Sequence, residues 1–152
     1  ELSEERLVLV SSLSARASSA GVARLLAAAA ARSSKRVLLC DTTWSSDSGD
    51  DATDLTADYT TAAAIEGVDV VRTQPDTHNI YARTDFQPTI AAFVKDYDQV
   101  IVAGRDELAV SAAKSLRTLK PALVLAARLG KTKKSDIQEL LDVTDARVLI
   151  HE

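Results

Sequence analysis

Between the apolar run Leu7-Val8-Leu9-Val10 and an alanine-rich stretch lies a segment of hydroxyls, small residues and one cation, Ser14-Ala15-Arg16-Ala17-Ser18-Ser19-Ala20. That mixture ahead of a helix favours an anion. First-turn N–H groups lack partners inside the helix, and the helix dipole adds partial positive charge at the same end. Arg16 has the charge and reach for a phosphate, and Ser18 and Ser19 stand at the helix start. A second apolar run, Val37-Leu38-Leu39-Cys40, ends in Asp41, a carboxylate at a strand terminus.

Other chemically capable residues are better explained by structure. Cys40, the single cysteine, sits inside its apolar run, so it is expected to be a small core residue in a reducing compartment and forms no internal disulfide. His78 and His151 lie apart from any cluster with metal-ligand spacing. Asp47, Asp50, Asp51 and Asp54 share a loop but lack the glycine and terminal glutamate of a calcium-binding hand. Asp106 and Glu107 open a predicted helix, where negative charge stabilises the first turn. Lys131, Lys133 and Lys134 suit a solvated helix start.

The elements that would position an anion site follow from the pattern. The chain has 152 residues, 46% apolar and 26% charged, as expected of one globular domain. Its apolar content is mostly Ala, Val and Leu, which suits close helix-on-sheet packing. Short apolar runs predict strands at Leu7–Val10, Arg36–Cys40, Gln99–Ala103, Ala122–Ala127 and Arg147–Ile150, with a weaker one at Ile80–Arg83. Helical spacing predicts helices at Ser18–Arg32, Phe86–Lys95, Glu107–Leu119 and Ser135–Asp142. Val68–Val71 is too short to classify, and Thr42 to about Asp58 has the composition of a surface loop. Strand-helix alternation implies an α/β fold, a parallel sheet covered by helices on both faces. Ligands in such folds bind at the carboxyl ends of the strands, which singles out the loop from Ser11 to Ala20.

Partners are bounded by charge and hydropathy. A net charge of −4 without a concentrated basic face argues against nucleic acid. No apolar run approaches the roughly 20 residues of a spanning helix, and the start has no signal-peptide order. The chain has no methionine, so it is expected to be a domain cut from something longer.

Taken in order, Leu7 to Ser12, the small-residue loop, the Ala/Leu helix and Lys35 to Asp41 resemble the opening of bacterial tyrosine kinases and related MinD/ParA-type P-loop ATPases. Asp96-Tyr97-Asp98-Gln99-Val100-Ile101-Val102-Ala103 resembles the strand that carries the Walker B aspartate, and Leu123 to Thr132 the strand and loop after it. The resemblance spans nearly the whole chain and is strongest to the cytoplasmic domain of polysaccharide co-polymerases, which govern exopolysaccharide chain length and export. It implies a single P-loop NTPase-like, Rossmann-like three-layer domain over residues 1–152.

The match breaks at the chemistry. A Walker A loop uses glycines to bring backbone N–H groups to the phosphates, a lysine for the β and γ charge and a hydroxyl for magnesium. At the corresponding positions stand Ala15 and Ala17 for glycines and Ser18 for the lysine, and Ser19 keeps the hydroxyl. Asp41-Thr42-Thr43 keeps the first carboxylate of the family's Asp-x-Asp, and Ala103 takes the Walker B position. Phosphoryl transfer depends on these parts for positioning and charge stabilisation. The expectation is a catalytically inactive, pseudokinase-like domain with no catalytic residue, metal or cofactor. Its loop, Ser14, Ala15, Arg16, Ala17, Ser18 and Ser19 with Asp41, is vestigial and binds nucleotide weakly or not at all. The tyrosines Tyr59, Tyr81 and Tyr97 are scattered, unlike the phosphorylated tail cluster of active members.

The resemblance implies a place at the cytoplasmic face of the bacterial inner membrane, attached only through segments outside this chain. Expected partners are proteins of a polysaccharide synthesis or export machinery, with homo-oligomers forming through the full-length protein. Two alternatives belong to other classes: an ATPase or tyrosine autokinase completed by a neighbouring subunit, and a MinD/ParA-like positional adaptor.

Overall fold

A computed structural model of the chain describes residues 5–12, 19–33, 35–43, 65–72, 80–105, 108–126 and 133–143. Among the described residues, five strands form one sheet: β1 (Leu7–Ser12), β2 (Val37–Asp41), β3 (Val68–Arg72), β4 (Gln99–Ala103) and β5 (Ala122–Ala126). Their order is β3-β2-β4-β1-β5, and every pairing is parallel. Four helices accompany them: α1 (Ser19–Ala31), α2 (Phe86–Asp96), α3 (Ala109–Leu116) and α4 (Lys134–Val143).

Both faces of the sheet are covered, which is why its strands are apolar at consecutive positions and do not alternate with polar residues. Leu7, Leu9, Leu38, Cys40, Val100, Val102, Leu123 and Leu125 pack with Phe86, Ile90 and Phe93 of α2 and with Ala112, Ala113 and Leu116 of α3. The opposite face carries Val8, Val10, Val37, Leu39, Ile101, Ala103 and Val124, packed with Ala23 and Ala27 of α1. Those two alanines are fully buried, and the partly buried Val22 and Leu26 of α1 pack against the same cluster. Gly67 enters β3 at φ +80, and a Cβ there would stand 3.5 Å from that of Ala31. Its backbone conformation, not crowding, requires glycine.

The strands and helices fall where the sequence places them, with four differences. Ser11 and Ser12 belong to β1, paired with Leu125 and Ala126, and not to the loop. Val68–Arg72 is a strand. The weak strand at Ile80–Arg83 is instead a 3₁₀ turn, Ile80–Ala82. A strand would have turned Ile80 and Tyr81 to opposite faces, whereas the turn buries both in the α2/α3 core. The helix predicted at Glu107–Leu119 is α3 followed by a 3₁₀ turn, Arg117–Leu119, which tightens its end. The predicted strand Arg147–Ile150 and most of the loop from Thr42 to Asp58 lie outside the described residues.

After that turn Lys120 adopts φ 50, ψ 58, its N–H bonded to the Arg117 carbonyl at 3.1 Å. A side chain in this left-handed region costs about 1–2 kcal/mol, which glycine avoids while losing some entropy from the unfolded chain. Lys120→Gly is therefore expected to raise stability by about 1 kcal/mol on balance. Urea denaturation checks this; an unchanged or lowered midpoint at equal slope counts against it.

Candidate functional site

β1 leads into α1 on one face of the sheet, while β4 leads towards α3 on the other. β1 and β4 are neighbours whose connections leave in opposite directions, so their carboxyl ends form the switch point at which folds of this kind bind ligands. In register there stand Val10 with Ala103, and Ala103 with Asp41 on β2. Of the sequence-derived candidates, Ser19 at the start of α1 and Asp41 at the end of β2 are at this edge. Ser14, Ala15, Arg16, Ala17 and Ser18 lie outside the described residues, as do His78, His151, Asp106, Glu107 and the acidic cluster from Asp47 to Asp54. Lys133 and Lys134 are exposed at the start of α4, as a solvated helix start requires.

Most described polar groups at this edge bond to one another, whereas the buried Ser11 Oγ has no hydrogen-bond partner among the described residues. The Ser19 hydroxyl, buried, donates from the start of α1 to the Gly104 carbonyl after β4 at 2.8 Å. The Gly104 N–H donates to the Val10 carbonyl at 2.7 Å. A Cβ on Gly104 would fall 2.9 Å from Ser11 Oγ and 3.4 Å from the Val10 carbonyl oxygen, so glycine permits this close approach of β4 to β1. Asp41 Oδ1 accepts from the Thr43 N–H at 2.9 Å and its hydroxyl at 2.6 Å, a local turn that uses the carboxylate structurally.

Two residues central to this edge have no signal in the sequence: Thr42 and Tyr81. The Thr42 N–H and hydroxyl both donate to the Ala103 carbonyl. Tyr81 Oη lies 2.6 Å from Thr42 Oγ1 and accepts from the Arg105 N–H at 2.8 Å. Each hydroxyl has one proton, and that of Thr42 goes to Ala103, so Tyr81 donates to Thr42. The result is a directed chain from Arg105 N–H through Tyr81 and Thr42 to the Ala103 carbonyl. The Tyr81 ring meets Phe86 edge-on at 5.2 Å between centroids. Burial pushes the Tyr81 phenol up to about 12 against the opposing pull of its hydrogen bonds. Beside it, Cys40 is pushed up to about 12 by burial and then by the Asp41 charge, so its thiol stays protonated and unreactive at neutral pH.

Magnesium, which the resembling ATPases use, needs several oxygen ligands in a near-octahedral array. The described residues of this edge offer one carboxylate, Asp41, already in a local turn, and the hydroxyls of Ser19 and Thr42, which each donate to a carbonyl. Among the described residues, no group of three or more His, Cys, Asp or Glu side chains is placed to hold a metal.

At the level of sequence, neither a family model nor a curated protein matches the chain. Comparison of folds is decisive: the BceF tyrosine kinase domain superposes with a TM-score of 0.72 over 95% of this chain and 68% of its own, at 16% identity. The chain has the fold of the bacterial tyrosine kinase domains. The VpsO kinase domain agrees, with a TM-score of 0.75 over 99% of this chain and 86% of its own, at 14% identity. The chimerical protein CapA2B2 gives 0.73 over 95% and 75%, at 18% identity. At these identities the likeness to the kinase domains is one of fold, so a P-loop-like α/β domain is what the tyrosine kinase comparison establishes. None of the described helices is long and apolar enough to cross a membrane.

Proposed function

We propose that this kinase-like domain is non-catalytic and acts through protein contacts in exopolysaccharide synthesis or export, as part of a polysaccharide co-polymerase-like protein. The observation that carries this reading is the hydrogen bond from Ser19 at the start of α1 to Gly104 after β4, beside Ala103, which the resemblance aligns with the Walker B carboxylate. A hydroxyl meant for a metal is here a bolt between α1 and the segment after β4. Losing the Walker lysine and two carboxylates removes the charge clamp on which phosphoryl transfer depends. The place in a polysaccharide machine rests on the sequence resemblance, which the kinase-domain fold supports.

Calorimetric titration with ATP and ADP, with and without magnesium and at protein concentrations sensitive to millimolar affinity, tests the reading. The expected result is no magnesium-dependent heat. Magnesium-dependent binding would overturn it in favour of an ATPase or autokinase completed by a neighbouring subunit.

A further inference from the structure

We propose that the Tyr81 hydroxyl is a strap across the carboxyl end of the sheet, holding Thr42 just after β2 and Arg105 just after β4 in one arrangement. In a nucleotide-binding fold those two segments line the ligand crevice, and phosphate and metal contacts commonly order them. Here a side chain from a third element does so. Tyr81 comes from the 3₁₀ turn ahead of α2, and its oxygen meets the end of β2 through Thr42 and the segment after β4 through Arg105.

The geometry suits a strap better than space-filling alone. The ring is buried in the α2/α3 core, where a phenylalanine would serve equally well for packing. The hydroxyl supplies what phenylalanine lacks, an acceptor for one backbone N–H and a donor to Thr42, which in turn reaches a backbone carbonyl. Removing the oxygen leaves the Arg105 N–H without this acceptor and costs the chain its middle member, while the core keeps its volume. The strap does not depend on whether the domain binds nucleotide, and its test is run with none present.

The experiment is native-state amide hydrogen exchange on the whole chain, comparing the parent with Tyr81→Phe and with Thr42→Ser, which keeps its hydroxyl. Loss of one buried hydrogen bond corresponds to a change of about tenfold. Tyr81→Phe is expected to speed exchange about tenfold at Arg105 and Thr42, with Leu9 on β1 and Val124 on β5 unchanged. Thr42→Ser is expected to keep Arg105 at the parent rate. Uniform acceleration over all strands would make Tyr81 an ordinary stability residue, and unchanged rates at Arg105 and Thr42 would mean that the hydroxyl holds nothing; either overturns the proposal. Acceleration at Arg105 in Thr42→Ser would do the same.

Discussion

Raising the pH above about 9 is expected to unfold this domain before the solution reaches pH 12. Two buried acids carry the effect: the folded state holds Cys40 at about 12 against an ordinary 9.0, and Tyr81 at about 12 against 10.0. Both shifts are upward, so the folded state binds these protons more tightly than the unfolded chain does. The stability linked to them is complete below about pH 9 and is lost as pH rises towards 12. At 1.36 kcal/mol per unit, three units for the thiol and two for the phenol amount to about 4 and 3 kcal/mol. Against a total stability of roughly 5–15 kcal/mol, such a loss is enough to unfold a marginal domain. Circular dichroism against pH, with phenolate absorbance followed in parallel, reads the transition. Cys40→Ala is expected to flatten the fall in denaturation midpoint between about pH 9 and 11. A parent protein as stable at pH 11 as at pH 8, or a Cys40→Ala variant with an unchanged pH slope, would refute this account.

Placing a carboxylate at position 103 with Ala103→Asp is expected to cost about 3–5 kcal/mol, because it buries an unpaired charge. Ala103 is fully buried among Val8, Val10 and Ile101 on the α1 face. Its register partner on β2 is Asp41, and partners in a parallel pair share a face, so the new carboxylate meets a like charge as well. In an active ATPase a metal and a lysine offset such acids. Ala103→Asn, nearly the same in shape, separates charge from volume. Denaturation at neutral pH, with and without millimolar magnesium, is the measurement. An Ala103→Asp protein as stable as the parent, or one that magnesium rescues, would show that a cation site forms at this edge and would reopen the enzymatic reading.

The fold was legible because its strands are short apolar runs between helical repeats, and a parallel sheet buried on both faces leaves that signature whatever its chemistry. Gln99–Ala103 and Phe86–Asp96 follow directly from it. Ile80–Ala82 did not, since three residues are too few to show a period and the core contact of Tyr81 decided their shape. At the site, the sequence pointed to Ser19, Asp41 and Ala103, and the fold brings all three to one edge. It was silent on Thr42 and Tyr81, whose hydroxyls meet across 39 positions of chain. A tyrosine in a short irregular stretch carries no spacing signal, and only the packing of α2 against the sheet aims its oxygen at β2 and β4.

The strand order β3-β2-β4-β1-β5 also sets the timing of assembly. β1 is made first but has no neighbour until β4 and β5 exist, about 90 and 115 residues later. During synthesis this interior strand therefore waits with both edges open while most of the domain emerges, and the sheet closes late around it. Every long-range pairing must overcome a large loop-closure cost, so folding is expected to be slow for the size of the chain. The unpaired β1, apolar on both faces, is the segment most in need of shielding until β5 arrives.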